Sequence, residues 1–81
     1  MNTKKIDYYI TAEIEGNQKK IGVIELETTD GAPYYSCFIN GTELTQLRHE
    51  TQGKWQQLWG NLPIETIQHI GEKISEKKSS L

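Results

Sequence analysis

The side chains here that could do chemistry are two histidines, one cysteine and a scatter of carboxylates. A zinc site needs several ligands converging on one ion, which shows in sequence as close, fixed spacings such as His at i and i+4 on a helix. His49 and His69 have no such partner, so both read as solvated surface residues. Cys37 stands alone, which excludes an intrachain disulfide and any multi-cysteine metal site. It sits in an apolar run and reads as buried filler. There is no serine–histidine–acid order around a tight elbow and no glycine-rich phosphate loop. Glu13 with Glu15, and Glu25 with Glu27, alternate along strands on what reads as the wet face. Such charges keep a surface soluble and blunt sheet edges. A catalytic pair would need a cleft, for which a thin domain has little room. The expectation is a non-enzyme with no catalytic residue, no cofactor and no metal.

The aromatics are the unusual feature. Tyr8-Tyr9 and Tyr34-Tyr35 are adjacent doublets, and on a strand each doublet puts one ring on each face. Tyr9 should therefore stand on the face opposite Ile6, Ile10 and Ile14, and one of Tyr34 or Tyr35 should do likewise. Trp55 and Trp59 add two large rings before the last helix. Tyr9, Tyr34, Tyr35, Trp55 and Trp59 form the candidate interaction face, because such rings offer large contact area with a polar handle. The plainer reading is that the tryptophans seal the core and the outward tyrosines make ordinary cross-strand contacts.

These residues must be positioned by short strands and one helix. Residues 5–15 alternate strictly, with Ile6, Tyr8, Ile10, Ala12 and Ile14 on one side. Gly16-Asn17 then suits a two-residue type II′ hairpin, with a three-residue Gly16-Asn17-Gln18 loop as the competing solution. A second strand covers about 19–28. Its apolar phase switches between Ile21, Val23 and Ile24, Leu26, which predicts a β-bulge at Gly22-Val23. TTDGAP is a turn cluster, and 34–39 is a third strand. Asn40-Gly41 predicts a type I′ turn that sets Cys37 opposite Leu44 and Ile39 opposite Thr42. A more polar fourth strand spans about 42–50, and Thr51-Gln52-Gly53 reads as a turn. Residues 54–59 suit a fifth strand with Trp55, Gln57 and Trp59 on one face, or a helical turn.

From Pro63 to about residue 77 the spacing predicts a helix. Pro63 fits the first turn, Glu65 and Lys77 complement the dipole, and Ile64, Ile67, Ile70, Gly71 and Ile74 share one side. Gly71 on the buried side implies close approach of a strand or a large side chain. The isoleucine side should meet Ile6, Tyr8, Ile10, Ala12, Ile14, Ile24 and Leu26. Residues 76–81 should fray.

At 81 residues this is one domain, 1–81. Apolar residues are only 35% of the chain, so the core must be thin or partly completed between subunits. Net charge is −2 and neither half is basic, which argues against a phosphate-backbone binder. No window approaches a membrane span, and MNTKKIDYY lacks the apolar stretch of a signal peptide, so a cytoplasmic location is expected. Asn40-Gly41-Thr42 matches a glycosylation pattern but reads as a turn.

The fold expected is α+β: an antiparallel β-meander of four or five strands with one C-terminal helix packed on one face. The function expected is a small non-catalytic interaction or assembly module. Its partner would be protein, self or other, and one form would be a homodimer through the sheet face opposite the helix. The alternative is a single-stranded nucleic-acid binder that stacks bases on Tyr9, Tyr34 or Tyr35, helped by Lys4, Lys5, Lys19, Lys20 and Lys54.

Overall fold

The computed structural model describes residues 5–80, so Lys4 and Leu81 lie outside the described residues. Five strands come first: β1 (Tyr8–Ile14), β2 (Asn17–Glu27), β3 (Pro33–Ile39), β4 (Thr42–His49) and β5 (Trp55–Trp59). A single helix, α1 (Ile64–Ser80), ends the described chain. The strands pair antiparallel in chain order, which makes the fold an α+β meander with a C-terminal helix. The segment before the helix is the fifth strand rather than a helical turn.

The first hairpin turns one residue earlier than expected. Glu15 and Gly16 are its central pair, with φ of 53° and 82°, the mark of a type I′ turn. Glycine is most valued at the second position of that turn, so Glu15-Gly16 outcompetes Gly16-Asn17. Ile14 pairs with Asn17, and the ladder runs unbroken through Gly22 to the Tyr8–Val23 pair. The bulge expected at Gly22-Val23 is therefore absent. Ile21 and Val23 face the helix, while Ile24 and Leu26 face the other way. The phase switch along β2 reflects burial on both faces, as an interior strand permits.

The irregularity lies instead at the start of β1. The Asp7 N–H donates to the Val23 carbonyl at 2.9 Å, although Val23 already stands opposite Tyr8. Two residues facing one is the count of a β-bulge. The Asp7 carboxylate then accepts the Glu25 N–H at 2.8 Å, taking the place of a backbone carbonyl. Ile6 is released from the alternation and folds onto the opposite face, over Gly22. A Cβ on Gly22 would fall 2.8 Å from Ile6 Cδ1, so the missing side chain makes that seat.

Asn40 and Gly41 form the expected type I′ turn, with φ of 52° and 82°. Ile39 pairs with Thr42, but Leu44 is an extra residue in β4 and Cys37 pairs with Thr45 instead. A second irregularity leaves Leu58 extra in β5, so Gln46 faces Trp59. Trp59 thereby leaves the face that Trp55 and Gln57 share.

On α1, Ile67, Ile70, Gly71 and Ile74 are buried, but Ile64 is 71% exposed. It precedes the point where the helix meets the sheet. The core joins the three buried isoleucines to Tyr8, Ile10, Ala12, Ile14, Ile21, Val23, Tyr35, Cys37, Leu47 and Trp55. Ile6, Ile24 and Leu26 are not among the helix's partners. The helix also continues to Ser80, whose hydroxyl donates to the Glu76 carbonyl at 3.0 Å.

Among the strands, α1 lies mainly against β1 and β5, the two sheet edges. Four strand spacings would hold these edges about 19 Å apart in a flat sheet, whereas a helix is about 10 Å wide. The sheet must therefore curl around the helix.

Candidate interaction surface

The side facing the helix is closed. Trp55 is 6% exposed and Tyr35 5%, so these two candidates belong to the core. Their ring centroids lie 5.4 Å apart, and the His49 ring stacks on Trp55 at 4.4 Å with an interplanar angle of 3°. His49 is exposed at the strand end, as expected, and its ring lies over the buried Trp55.

At the far end of the helix, Lys78 Nζ donates to the Tyr35 hydroxyl at 2.9 Å and lies 3.6 Å from the Glu25 carboxylate. That carboxylate accepts the Tyr8 hydroxyl at 2.9 Å. Glu25 was expected on the wet face; the unbroken β2 ladder puts it on the helix side. The Tyr35 bond raises the Lys78 pKa, with Glu25 adding to it and burial opposing it. Burial raises the Tyr8 hydroxyl's pKa well above the ordinary value, and the bond to Glu25 adds to this. Burial likewise pushes the Cys37 thiol up to about 12, helped by the nearby Glu43 charge. A thiol held protonated is a poor nucleophile.

Among the described residues, no helix covers the opposite sheet face. Cross-strand register gathers Tyr9 on β1, Ile24 and Leu26 on β2, and Tyr34 and Phe38 on β3, with Ile6 folded in from the chain before β1. Ile24 is 6% exposed, Tyr9 is 49% exposed, and Ile6, Leu26, Tyr34 and Phe38 are partly buried. A shallow depression of about 840 Å³ runs between Ile6, Tyr9, Leu26 and Phe38, with Lys20 and Glu43 among its lining. Lys20 Nζ stands 4.6 Å from the Tyr9 ring centroid. Glu43 accepts hydrogen bonds from the buried Ser36 hydroxyl and, at 3.0 Å, from the Gln46 amide.

Tyr9 and Tyr34 thus share this face, while Tyr35 and Trp55 are lost to the core. Trp59 is 53% exposed on β5, the far edge from Tyr9. It lines a separate dent with Leu44, Leu58 and Leu62. The five candidates do not form one platform. Ile6, Leu26 and Phe38 complete the surface, and the phase switch in β2 was the signal for Leu26: an interior strand that is apolar on both sides has two faces to cover.

The two edges differ. On β5, the Gln68 side chain of α1 accepts the Trp55 N–H at 3.2 Å and donates to the Trp55 carbonyl at 2.7 Å. Beyond it, Gln57 reaches forward along the chain to Leu62. Its amide oxygen accepts the Leu62 N–H at 3.1 Å, and its amide nitrogen donates to the Leu62 carbonyl at 3.2 Å. Gly60 makes room for this knot, since a Cβ there would fall 2.6 Å from Gln57 Oε1. The β1 edge has no comparable partner among the described residues.

Among the described residues, no three His, Cys, Asp or Glu side chains stand together as a metal site, and no helix is long and apolar enough to cross a membrane. No family model, curated protein or solved structure matches the chain.

Proposed function

We propose that the protein is a non-catalytic interaction module whose working surface is the sheet face opposite the helix. The observation that carries this reading is the apolar group of Ile6, Tyr9, Ile24, Leu26 and Phe38 on a face that no element among the described residues covers. A core-forming helix accounts for the apolar residues on its own side. It does not account for these, of which Tyr9 is exposed and Ile6, Leu26 and Phe38 are partly exposed around the buried Ile24, and apolar surface of this kind marks contact sites.

The partner fits as a protein segment with apolar side chains. The depression is mainly apolar, with Ser36 and Asn40 also in its lining, and has one cation and one anion at its margin, Lys20 and Glu43, so it presents no strong field of either sign. A nucleic-acid strand would need a cationic track, and the chain carries a net charge of −2. The titratable groups support the non-catalytic reading: Cys37 is buried and held protonated, and Glu43 is occupied by Ser36 and Gln46.

Site-specific photo-crosslinking in living cells tests this. A photoreactive residue at Leu26, which lines the depression on an interior strand, should yield one discrete adduct, which Phe38→Glu should abolish. The same probe at Glu65, on the exposed side of the helix, should yield none. Equal labelling from both positions, or an adduct indifferent to Phe38→Glu, would sink the assignment. Oligonucleotide titration at low salt should leave tyrosine and tryptophan fluorescence unchanged; quenching there would turn the reading toward a base-stacking surface.

A further inference from the structure

The β1 edge carries a second inference, independent of what the open face binds. The two-residue turn at Glu15-Gly16 makes Ile14–Asn17 a hydrogen-bonded pair. Hydrogen-bonded and non-bonded pairs alternate along an antiparallel ladder. Ala12, Ile10 and Tyr8 therefore direct their backbone groups to β2, whereas Tyr9, Thr11 and Glu13 direct theirs outward. Among the described residues nothing hydrogen-bonds to these outward groups. A trough runs beside them, bounded by Tyr9, Ile10 and Thr11 on one side and by Lys73, Glu76 and Lys77 on the other.

An open edge of this kind is normally blunted by Lys, Pro or a bulge within the strand. β1 reads YYITAEI and has no Lys or Pro inside it; its one charge is Glu13, and the bulge at Asp7-Tyr8 lies at its very start. The chain does protect its other edge, through Gln68 and the extra residue Leu58. One edge is shielded and the other is left ready to pair.

We infer that β1 pairs antiparallel with β1 of a second copy, centred on Thr11, to make one continuous ten-stranded sheet. A two-fold axis at Thr11 sets Thr11 opposite Thr11 and Tyr9 opposite Glu13. This register uses every outward N–H and C=O of Tyr9, Thr11 and Glu13. It also supplies charge complementarity. Lys20, paired with Thr11 across the β1–β2 ladder, already holds its ammonium over the Tyr9 ring at 4.6 Å. The incoming Glu13 would stand directly across from that ring, at the cross-strand distance of about 5 Å. A register centred on Glu13 would instead oppose two like charges, and one centred on Tyr9 would run past the start of β1 into the irregularity at Asp7. The open faces of the two copies would then adjoin.

Sedimentation equilibrium of the full chain up to millimolar concentration tests this. The wild type should reach twice the monomer mass. Thr11→Pro removes one outward N–H, leaves the β2 ladder intact, and should give a monomer with an unchanged circular dichroism spectrum. Glu13→Lys should weaken the dimer about tenfold, since it reverses one charge of each symmetric pair. Combining Glu13→Lys with Lys20→Glu should restore it. If Thr11→Pro alters the fold, the charge swap decides. A wild type that stays monomeric would overturn the inference. So would a dimer that Phe38→Glu dissociates but the Glu13 and Thr11 variants do not, because that dimer would join by its open faces. Photo-crosslinking from Leu26 to a different protein is unaffected by either outcome, because Leu26 lies on an interior strand away from the β1 edge.

Discussion

Trp55 lies across Gly71 so closely that a Cβ on residue 71 would fall 2.3 Å from the ring's Cγ and Cδ2 atoms. Those atoms are near the root of the side chain and cannot swing aside. In an exposed helix, Gly→Ala gains about 1 kcal/mol. Here the gain is overridden by overpacking of about 1–3 kcal/mol. Gly71→Ala should therefore lower the melting temperature by several degrees, as calorimetry would show. An increase would mean that Trp55 does not rest on the helix at this point.

Gly22→Ala offers the contrast. The atoms a new Cβ would meet belong to Ile6, which is only partly buried and precedes the first strand. Ile6 can lift, so the loss should stay under about 1 kcal/mol in a denaturant titration. The Ile6 methyl resonances should shift while those of Ile70 and Ile74 stay in place. Movement of the helix methyls would contradict the placement of Ile6 on the open face.

Gln68 does for Trp55 what a sixth strand would do. Gln68→Ala leaves one N–H and one C=O at a partly buried edge without partners, at a cost of about 1–3 kcal/mol. The measurable signs are a lower unfolding midpoint in urea and faster exchange of the Trp55 amide. Aggregation on standing should also rise, because an unshielded edge pairs with other chains.

Alkaline pH should weaken the fold in two stages. Cys37 and Tyr8 both have raised values in the folded chain, so they keep protons that the unfolded chain has lost. Their contribution is complete below the unfolded values, about 8.5 for cysteine and about 10 for tyrosine, and is lost as pH rises past them. The limiting slope is about 1.4 kcal/mol per pH unit for each group. Unfolding free energy should begin to fall near pH 8.5 and fall more steeply above pH 10. Cys37→Val should remove the first stage and Tyr8→Phe the second. A flat profile in the wild type between pH 8.5 and 11 would contradict the burial of both groups.

Much of the architecture was legible in the residues because it rests on local rules. The type I′ turn at Asn40-Gly41, the alternation of Tyr8 to Ile14, and Gly71 as a seat for a large side chain all follow from backbone sterics and period. What escaped depends on side chains standing in for backbone. Asp7 replaces a carbonyl in the ladder, and this sends Ile6 to the other face. Extra residues at Leu44 and Leu58 shift the partners of Cys37 and Trp59, and neither carries a glycine or proline to announce itself. The interaction surface was half legible for the same reason. Strand parity places Tyr9 correctly. Which ring of Tyr34-Tyr35 turns outward depends on pairing to β2, and that pairing depends on a turn displaced by one residue.

The central claim is that this chain works through surfaces its helix leaves open, with β1 as the edge that joins two copies. Amide hydrogen exchange along β1 at low and at high chain concentration tests it most directly. At low concentration the Ile10 and Ala12 amides should be protected and the Tyr9, Thr11 and Glu13 amides should exchange fast. At high concentration protection at Tyr9, Thr11 and Glu13 should rise, with Thr11 at the centre, while Ile10 and Ala12 change little. Fast exchange at Thr11 at every concentration would contradict the account.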